Sequence, residues 1–335
     1  MSADRERIAV VGAGMAGATC ADLLRRAGHD VTVFEKSRGA GGRMSTRRGE
    51  DVAFDHGAQY MTARTAGFQD AVSDWVAAGV AAPWELRLVD LEAGVATPHP
   101  SDHPRYVGVP GMNAICKHLL EGIDLVRATR IVRIDRTDAH WTLADESRAT
   151  HGPFDAVVVT APPVQAAALL HDAPVLAAEA KRAELAPCWT WMIAFDDPTS
   201  LDFDGAFVKG SPLTWIARNS AKPGRPGARE TWIAQASPEW SSTHVEDDPT
   251  YVASALEDAF RRDTAYVGAA PTTAMLHRWL YAFPSRDLGT PFLWDASRRI
   301  GACGDWIHGS RVESAWLSGH ALATAMGAAH PPQVS

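Results

Sequence analysis

The order of apolar and polar positions predicts a strand, a turn, a helix and a second strand at the start of the chain. Residues 8–11 form a short apolar run, and a glycine-rich segment follows it. Small and apolar residues at 16–27 predict a helix, which ends at Gly28 because glycine readily adopts the left-handed conformation found just after helices. A second apolar run at 31–34 leads to Glu35. Such a strand–helix–strand unit is the building block of parallel sheets.

Further along, a second set of apolar runs predicts an antiparallel sheet with helices at 164–170 and 250–261 beside it. A segment rich in Pro, Gly and Arg, 220–229, is expected to be a surface loop. The strands predicted for this sheet are 189–195, 205–208, 213–218, 230–236 and 275–283. Other strands are predicted at 125–134, 154–160 and 300–303, and a C-terminal helix at 312–326. The pattern therefore predicts a mixed α/β fold with two interwoven domains.

Three glycines and one carboxylate of the first unit have the spacing of a dinucleotide-binding turn. Gly12 permits the tight turn, Gly14 lets a pyrophosphate approach the backbone, and Gly17 lets the helix pack on the strand. The helix N-terminus offers free N–H groups to phosphates. Glu35 ends the second strand, where a carboxylate accepts hydrogen bonds from an adenosine ribose and disfavours a 2'-phosphate.

The loop behind Glu35 favours flavin adenine dinucleotide (FAD) over NAD. Residues 37–43 are basic and rich in glycine, which a plain NAD-binding domain does not need, and Arg43 is placed to clamp a pyrophosphate. Near the C-terminus, a strand, the Gly304-Asp305 turn and a helix start form the arrangement that holds a ribityl chain through Asp305. The N-terminus of that helix is expected to face the part of the flavin ring where negative charge collects on reduction.

Composition and charge exclude several classes of protein. A formal net charge of −8 offers no basic surface for nucleic acid, and no apolar window is long enough to cross a membrane. The four cysteines include no CxxC pair, so neither a disulfide framework nor a metal site is expected. The polar N-terminus, with no secretory apolar region, predicts a cytoplasmic protein.

Several runs together resemble the flavin amine-oxidase superfamily, and within it the bacterial renalases. The superfamily motifs are the Gly12–Gly17 turn, residues 35–43, residues 57–60, and Gly304-Asp305 with residues 312–319. The runs that point to the renalase branch are residues 36–39, 57–60, 211–213, 217–219, 277–282 and 315–319. The resemblance extends over essentially the whole chain.

The resemblance implies a fold like that of p-hydroxybenzoate hydroxylase, in which a Rossmann-type FAD-binding domain is interwoven with a substrate domain. It assigns 1–60, 105–163 and 295–328 to the FAD-binding domain, 61–104 and 164–294 to the substrate domain, and 329–335 to a tail. The non-covalent FAD contacts that it implies are Gly12, Gly14, Ala16, Gly17, Glu35, Lys36, Gly42, Arg43, Ala58, Gln59, Gly304, Asp305 and Val312. Val132 is added because it lies in the strand that usually reaches the adenine in this family.

The activity implied is oxidation of dihydronicotinamide dinucleotides, reduced at the ring 2- or 6-position, to NAD(P)+, with dioxygen taking the electrons as hydrogen peroxide. A dihydropyridine already is a strong hydride donor, so the protein needs to supply orientation and a dry flavin face more than an acid or base. Amine oxidases of the superfamily usually keep a lysine near flavin N5. Lys209 is the plausible candidate for such a lysine, since Lys36 lies in the cofactor loop and Lys222 in the Pro/Gly loop.

The substrate pocket is predicted from side chains that suit a flat, phosphate-bearing ligand. His277, Trp279 and Tyr281 alternate along one predicted strand and so share a face that suits a stacked ring. Arg218 is a candidate contact for a substrate pyrophosphate. The full set of pocket candidates is Tyr60, Arg218, Asn219, His277, Trp279 and Tyr281.

Three alternatives remain open at the level of sequence. The first is an FAD-dependent oxidase of an amine or another small molecule in a biosynthetic pathway. The second, by fold analogy, is a flavin monooxygenase that uses NAD(P)H. The third is a flavin-binding protein without turnover. The sequence does not decide the isomer or the NAD or NADP form of the substrate, the physiological electron acceptor, or the oligomeric state.

Overall fold

The computed structural model describes residues 5–100 and 103–328, so the predicted tail at 329–335 lies outside the described residues. The strands, in chain order, are β1 (Arg7–Val11), β2 (Asp30–Glu35), β3 (Thr46–Arg48), β4 (Ala53–Asp55), β5 (Ala81–Pro83), β6 (Leu88–Glu92), β7 (Val95–Pro98), β8 (Tyr106–Gly108), β9 (Asp124–Arg127), β10 (Ile131–Thr137), β11 (His140–Asp145), β12 (Thr150–Phe154), β13 (Ala156–Val159), β14 (Leu185–Phe195), β15 (Gly205–Lys209), β16 (Leu213–Arg218), β17 (Glu230–Ala236), β18 (Thr273–Pro284), β19 (Leu293–Asp295) and β20 (Ile300–Ala302). The α-helices are α1 (Met15–Arg26), α2 (Ala66–Ala77), α3 (Ala114–Leu119), α4 (Pro163–Leu169), α5 (Pro174–Lys181), α6 (Pro238–Thr243), α7 (Pro249–Thr264), α8 (Asp305–His308) and α9 (Val312–Ala325).

Two compact units share the chain. The first comprises the described parts of Met1–Gly42, Cys116–Glu184 and Pro284–Ser335, and the second comprises Arg43–Ile115 and Leu185–Phe283. Residues 43–60, which the sequence assigns to the FAD-binding domain, pack with the second unit. Packing does not decide which residues contact a cofactor, so the predicted domain division stays a prediction.

The first unit is built on a sheet in the order β19-β20-β13-β1-β2-β9, with all neighbours parallel except β19 and β20. Ile8, Ala9 and Val10 of β1 are fully buried, as expected for a central parallel strand covered on both faces. The predicted strand, helix and strand at the start of the chain are confirmed to within one residue. Because parallel strands end at the same edge, the residues after β1 and β13 meet there.

Helices α1 and α9 of the first unit pack closely through small residues. A Cβ at Gly319 of α9 would lie 2.3 Å from the carbonyl oxygen of Ala16 in α1. The predicted C-terminal helix is therefore confirmed, and its glycine has a packing reason. No helix in the described ranges combines the length and apolarity that crossing a lipid bilayer would require.

The single strand predicted at 125–134 is wrong. The chain forms β9, which pairs with β2, and then β10, which belongs to a separate sheet in the order β10-β11-β12. Ala128 makes the turn with a φ of 53°, and its N–H donates to the carbonyl of Ser37. No glycine or proline marks this turn in the sequence, so the alternation of apolar residues continues across it.

The second unit contains a seven-stranded sheet in the order β18-β14-β17-β16-β15-β6-β7. All five strands predicted for one sheet lie in it. The pairs β14–β17, β17–β16 and β16–β15 are antiparallel, and β15 pairs in parallel with β6. Helix α7 packs on the sheet, where Phe260 lies against Trp191 and Trp232. Several of the tryptophans therefore fill the core.

The segment 220–229 is only partly the surface loop that its composition predicts. Lys222 is 2% exposed and Arg225 is 8% exposed. Both side chains reach the carboxylate of Asp55, at the end of β4. A buried carboxylate far away in the sequence therefore draws two cations of the loop inward, and local composition carries no sign of it.

Candidate functional site

The turn after β1 has the geometry of a phosphate-binding loop. Gly12 has a φ of 114°, which favours glycine, and a Cβ at Gly17 would lie 2.1 Å from the Gly12 carbonyl oxygen. A Cβ at Gly14, in contrast, would meet only the Cα of Gly42, at 3.9 Å. Gly12 and Gly17 are thus required by the fold itself, whereas the space over Gly14 is open for a ligand, next to the N-terminus of α1.

The basic loop and Glu35 lie at the same turn. The Gly41 N–H donates to the Ala13 carbonyl at 2.9 Å, which fixes the end of the loop beside the turn. The Glu35 carboxylate accepts from the N–H groups of Ala13 at 2.9 Å and Ser37 at 2.8 Å. Each carboxylate oxygen retains a lone pair, so Glu35 is oriented and still able to accept from ribose hydroxyls.

The turn between β20 and α9 is held by a buried hydroxyl. The Ser318 hydroxyl of α9 accepts from the Gly304 N–H at 2.9 Å and donates to the Pro291 carbonyl at 2.6 Å. Asp305 is buried at the start of α8, and Val312 is the first residue of α9. Hydrogen bonding to Cys20 and burial raise the pKa of the Cys303 thiol, so it is no reactive thiolate. The predicted cofactor roles of Gly304, Asp305 and Val312 stay predictions. The same holds for Val132, which is 50% exposed on β10.

The conformation of the Gly57-Ala58-Gln59 segment is fixed by hydrogen bonds within the second unit. Gln59, 5% exposed, donates through its side-chain amide to the carbonyls of Asp55 and Gly57 and accepts from Lys222 Nζ at 3.1 Å. The Ala58 N–H donates to the Arg43 carbonyl at 2.8 Å, and a Cβ at Gly57 would lie 1.9 Å from the same oxygen. The side chain of Gln59 therefore shapes the turn, in which Gly57 and Ala58 are half-buried. The predicted cofactor roles of Ala58 and Gln59 stay predictions.

A buried ion cluster beneath this turn was missed at the level of sequence. Asp55 accepts from Lys222 Nζ at 3.3 Å, from Arg225 Nη2 at 2.5 Å and from Thr46 Oγ1 at 2.7 Å. Burial alone would raise the pKa of Asp55, but Lys222 and Arg225, together with hydrogen bonds from Thr46 and the Met112 N–H, outweigh it and hold the pKa at about 2. Burial lowers the pKa of Lys222 to about 8 against the attraction of Asp55. A Pro/Gly-rich sequence gives no sign of this cluster, which depends on long-range packing.

Lys209, the sequence candidate for a lysine near flavin N5, lies at the surface of the second unit. Its side chain is 58% exposed on β15 and lies 3.7 Å from Asp90. The buried lysine of the second unit is Lys222, whose side chain is 0% exposed.

An aromatic cluster joins the turn to the edge strand β18. The rings of His56 and Trp279 stack, with centroids 5.1 Å apart and an interplanar angle of 25°. His277 meets both rings edge to face, at 4.8 Å from His56 and 4.3 Å from Trp279. Trp279 Nε1 also donates to the His56 carbonyl at 2.8 Å. The predicted sharing of one face by His277, Trp279 and Tyr281 agrees with the exposure of β18, where all three are half-buried and the intervening Arg278 and Leu280 are exposed.

Both histidines of this cluster are neutral at physiological pH. Burial and the positive charge of Arg47 lower the pKa of His56 to about 4. Burial, His56 and Arg47 lower that of His277 to about 4 as well. The cluster is therefore an uncharged aromatic surface.

We expect the folded state to lose stability in acid because of these histidines. In the folded state the pKa of each histidine lies below the ordinary value of 6.5. As the pH falls, the histidines are therefore protonated in the unfolded chain before they are protonated in the folded protein. The stabilisation is complete above about pH 6.5 and falls as the pH drops towards 4. Thermal unfolding measured between pH 7 and pH 4 should show a smaller acid loss in His56→Phe than in the wild type. The same acid loss in His56→Phe and in the wild type would contradict the attribution of this loss to the buried histidines. His308→Asn, at an exposed site, serves as the control.

Two of the predicted pocket residues have structural partners instead. The Arg218 guanidinium pairs with Glu230 at 3.3 Å and donates to the carbonyls of Leu201 and Phe203. Asn219 is fully buried and links its side chain to the Asp55 N–H and the Ala53 carbonyl. Their side chains are thus engaged within the protein, which removes the basis for predicting them as substrate contacts.

The remaining aromatic and basic candidates have partners within the second unit. Tyr60 is half-buried, with its ring 5.4 Å from that of Trp215 and 5.0 Å from the Arg105 guanidinium. Arg43 Nη1 donates to the Ala282 carbonyl at 3.0 Å. Its role as a pyrophosphate clamp, and that of Tyr60 in a pocket, stay predictions.

Comparisons with known proteins agree with the N-terminal turn. Residues 10–78 match the family model of an NAD(P)-binding Rossmann-like domain. An L-amino acid oxidase from Bothrops pictus is 53% identical over 45 residues, which is 13% of this chain and 9% of the oxidase. The chain thus covers less than a tenth of the length of this curated relative.

Comparisons of structure cover nearly the whole chain. Cyclohexylamine oxidase from Brevibacterium oxydans superposes with a TM-score of 0.75 over 96% of this chain and 98% of the oxidase, at 12% identity. Reduced UDP-galactopyranose mutase superposes with a TM-score of 0.77 over 97% of this chain and 94% of the mutase, at 12% identity. At such identities the likeness concerns the fold alone. The predicted fold class, a Rossmann-like dinucleotide-binding domain interwoven with a mainly antiparallel sheet in an amine-oxidase-like fold, is confirmed.

Proposed function

We propose that the chain is an FAD-dependent oxidoreductase of the renalase type. It would oxidise a 2- or 6-dihydronicotinamide dinucleotide to NAD(P)+, with dioxygen as the final acceptor and hydrogen peroxide as product. The observation that carries this proposal is the neutral aromatic cluster of His56, His277 and Trp279, which adjoins the Gly57–Gln59 turn. The resemblance of the sequence to flavin amine oxidases and bacterial renalases supplies the cofactor and the substrate class.

The residues of the first unit fit FAD. The open space over Gly14 is a cradle that a Cβ would fill, and it lies at the N-terminus of α1, where a pyrophosphate is stabilised. Glu35 would accept from the ribose hydroxyls, and Asp305 would bind the ribityl chain. When bound, FAD would supply the acceptor for a hydride and the route of the electrons to dioxygen.

The aromatic cluster would position the substrate ring. Trp279 and the two histidines present flat, uncharged surfaces, which suit a dihydropyridine that carries no charge. Oxidation of this ring requires no N–H proton to be removed first, so neutral histidines without a base role are adequate. The contribution of the protein is then orientation and exclusion of water.

Charge beside the cluster favours a dinucleotide over an amine. Arg47 of β3 lies opposite Phe54 in the β3–β4 hairpin, so it shares a face with His56, two residues beyond Phe54. No carboxylate of the described residues forms an ion pair with Arg47, and its positive charge reaches both histidines. An unpaired guanidinium attracts phosphates and repels the ammonium form of an amine.

We expect Trp279→Leu to weaken binding of the dihydronicotinamide about fivefold, since a stacked aromatic pair contributes about 1 kcal/mol beyond the area that it buries. The concentration dependence of anaerobic flavin reduction gives the dissociation constant. Leu280→Ala, on the exposed face of the same strand, is the matched control and should leave the constant unchanged. Equal effects of the two substitutions on the dissociation constant would contradict the placement of Trp279 in the substrate site.

Anaerobic mixing tests the proposed activity. The purified protein, loaded with FAD, is mixed with the 2-, 6- or 4-dihydro isomer of NAD while the flavin absorbance is recorded, and air is then admitted. Rapid bleaching by the 2- or 6-isomer but not by ordinary NADH, with peroxide formed on reoxidation, is the expected result. Absence of bleaching by every isomer would overturn the renalase assignment.

An amine oxidase is the second candidate, because solved proteins of this fold include a cyclohexylamine oxidase and a putrescine oxidase. It predicts that an amine, and no dihydronicotinamide, bleaches the flavin in the same experiment. Arg47 argues against this outcome.

A further inference from the structure

Two strand ends of the first unit meet at Thr160, the residue that follows β13. The Thr160 N–H donates to the carbonyl of Val11, at the end of β1, at 2.9 Å. The Thr160 hydroxyl lies 3.0 Å from the same carbonyl oxygen and 3.2 Å from that of Gly12, and it donates to both. Since the Val11 carbonyl already accepts from the Thr160 N–H, what the hydroxyl adds is a hydrogen bond to Gly12, in the phosphate-binding turn.

The same hydroxyl packs between two glycines of this turn. A Cβ at Gly12 would lie 2.3 Å from Thr160 Oγ1, and a Cβ at Gly17 would lie 3.0 Å from it. The hydroxyl oxygen therefore fills space that a side chain at either glycine would need. Close packing and the hydrogen bond together fix the orientation of the Gly12 carbonyl.

The peptide group between Gly12 and Ala13 connects Thr160 to Glu35. A trans peptide is planar, so its carbonyl and its N–H point in opposite directions. The Gly12 carbonyl of this group accepts from Thr160, and the Ala13 N–H donates to Glu35 Oε2 at 2.9 Å. Because the group is rigid, a rotation that follows the loss of one contact also disturbs the other. The hydroxyl of Thr160 therefore fixes the donor that orients the Glu35 carboxylate.

The Ala13 N–H is the contact that ties Glu35 to the turn. The other carboxylate oxygen accepts from the Ser37 N–H at 2.8 Å, only two residues along the same segment. The bond from Ala13 instead sets the spacing between the carboxylate, which would accept from ribose hydroxyls, and the turn, which would hold the pyrophosphate. Ribose and pyrophosphate are covalently joined in the ligand, so a preset spacing of their two sites favours binding.

We propose that Thr160 is a positioning residue for the adenylate half of the cofactor. It holds the Glu35 carboxylate in place for the ribose hydroxyls through the peptide group between Gly12 and Ala13. This inference rests on the proposed FAD binding and adds a residue to it that the sequence motifs do not include. Loss of the Thr160 hydroxyl should weaken nucleotides that carry ribose hydroxyls and spare those that lack them.

The test compares ADP with 2',3'-dideoxy-ADP as competitors that displace FAD from the purified protein, with flavin fluorescence as the signal. We expect the wild type to bind ADP about tenfold more tightly than dideoxy-ADP, because hydrogen bonds to a charged carboxylate are strong. Thr160→Val keeps the branched shape and removes the hydroxyl. It should weaken binding of ADP about fivefold and leave binding of dideoxy-ADP unchanged.

Two further variants control this comparison. Thr160→Ser keeps the hydroxyl and should retain the wild-type preference for ADP. Thr324→Val, in α9 of the same unit, removes a threonine hydroxyl that donates to the His320 carbonyl, and it should leave both dissociation constants unchanged. If Thr160→Val does not fold, Thr160→Ala decides, because it removes the hydroxyl without placing a methyl group against the turn.

Each outcome decides the inference. A smaller preference for ADP in Thr160→Val, with the wild-type preference kept in Thr160→Ser, supports it. An unchanged preference in Thr160→Val, equal weakening of both nucleotides, or the same loss in Thr160→Ser overturns it while FAD binding stands. A wild type that binds both nucleotides equally, or neither, also overturns it, because Glu35 would then have no measurable part in holding the ribose. Failure of the wild type to bind FAD overturns the inference together with the proposed function.

Discussion

Replacement of Asp55 by asparagine should lower the free energy of unfolding by about 3–5 kcal/mol, because it leaves buried cations without their carboxylate. Asp55 is fully buried and its carboxylate receives Lys222, Arg225, Thr46 and the N–H of Met112. An amide has the same shape but no charge, and it offers donors where the carboxylate only accepts. Denaturant unfolding, followed by tryptophan fluorescence, measures the effect.

Asp202→Asn is the matched control for this loss. Asp202 is 94% exposed and pairs with Arg87 at the surface of the same unit. Exposed ion pairs contribute about 0–1 kcal/mol, so the control should unfold near the wild-type denaturant concentration. Similar losses in the two variants would contradict the dependence of the buried cations Lys222 and Arg225 on the Asp55 carboxylate.

Gly14→Val should abolish FAD binding, with a loss in affinity of at least about a hundredfold, while the fold remains intact. The backbone φ of Gly14 is −79°, which every residue adopts, and its Cβ would meet only the Cα of Gly42 at 3.9 Å. The valine side chain would therefore extend into the space over the turn that a pyrophosphate needs, from a Cβ in ordinary van der Waals contact with the protein. Equilibrium titration with FAD measures the affinity, and thermal unfolding of the apoprotein measures the fold.

Gly17→Ala separates the two roles of glycine in this turn. Its Cβ would lie 2.1 Å from the Gly12 carbonyl oxygen, so the apoprotein itself should be destabilised. A Gly14→Val protein that binds FAD like the wild type would contradict the location of the pyrophosphate. A Gly14→Val apoprotein as unstable as Gly17→Ala would mean that the space over Gly14 is not open.

Local patterns predicted most of the elements because the physical causes of those elements are local. The strand Glu230–Ala236 was predicted with its exact bounds, and α9 to within one residue, since apolar runs and flanking polar residues mark their ends. The turn at Ala128 was missed because an alanine with a positive φ has no sequence signal.

The candidate site was less predictable because it depends on long-range contacts. The shared face of His277 and Trp279 follows from the two-residue period of a strand, and the structure shows it. The burial of Lys222 depends on Asp55, 167 positions away, and its loop reads as a polar connection. Arg218 carries a guanidinium group, which suits a phosphate, and this is all that the sequence shows. In the structure Glu230 and two backbone carbonyls engage this guanidinium.

Titration of the apoprotein with FAD, in competition with NAD, tests the central claim most directly. The account predicts that one FAD binds per chain with a change in the visible flavin spectrum, that excess NAD does not displace it, and that Gly14→Val removes the binding. Binding of NAD in preference to FAD, or no binding of FAD at all, would contradict the assignment of this chain as a flavin oxidoreductase.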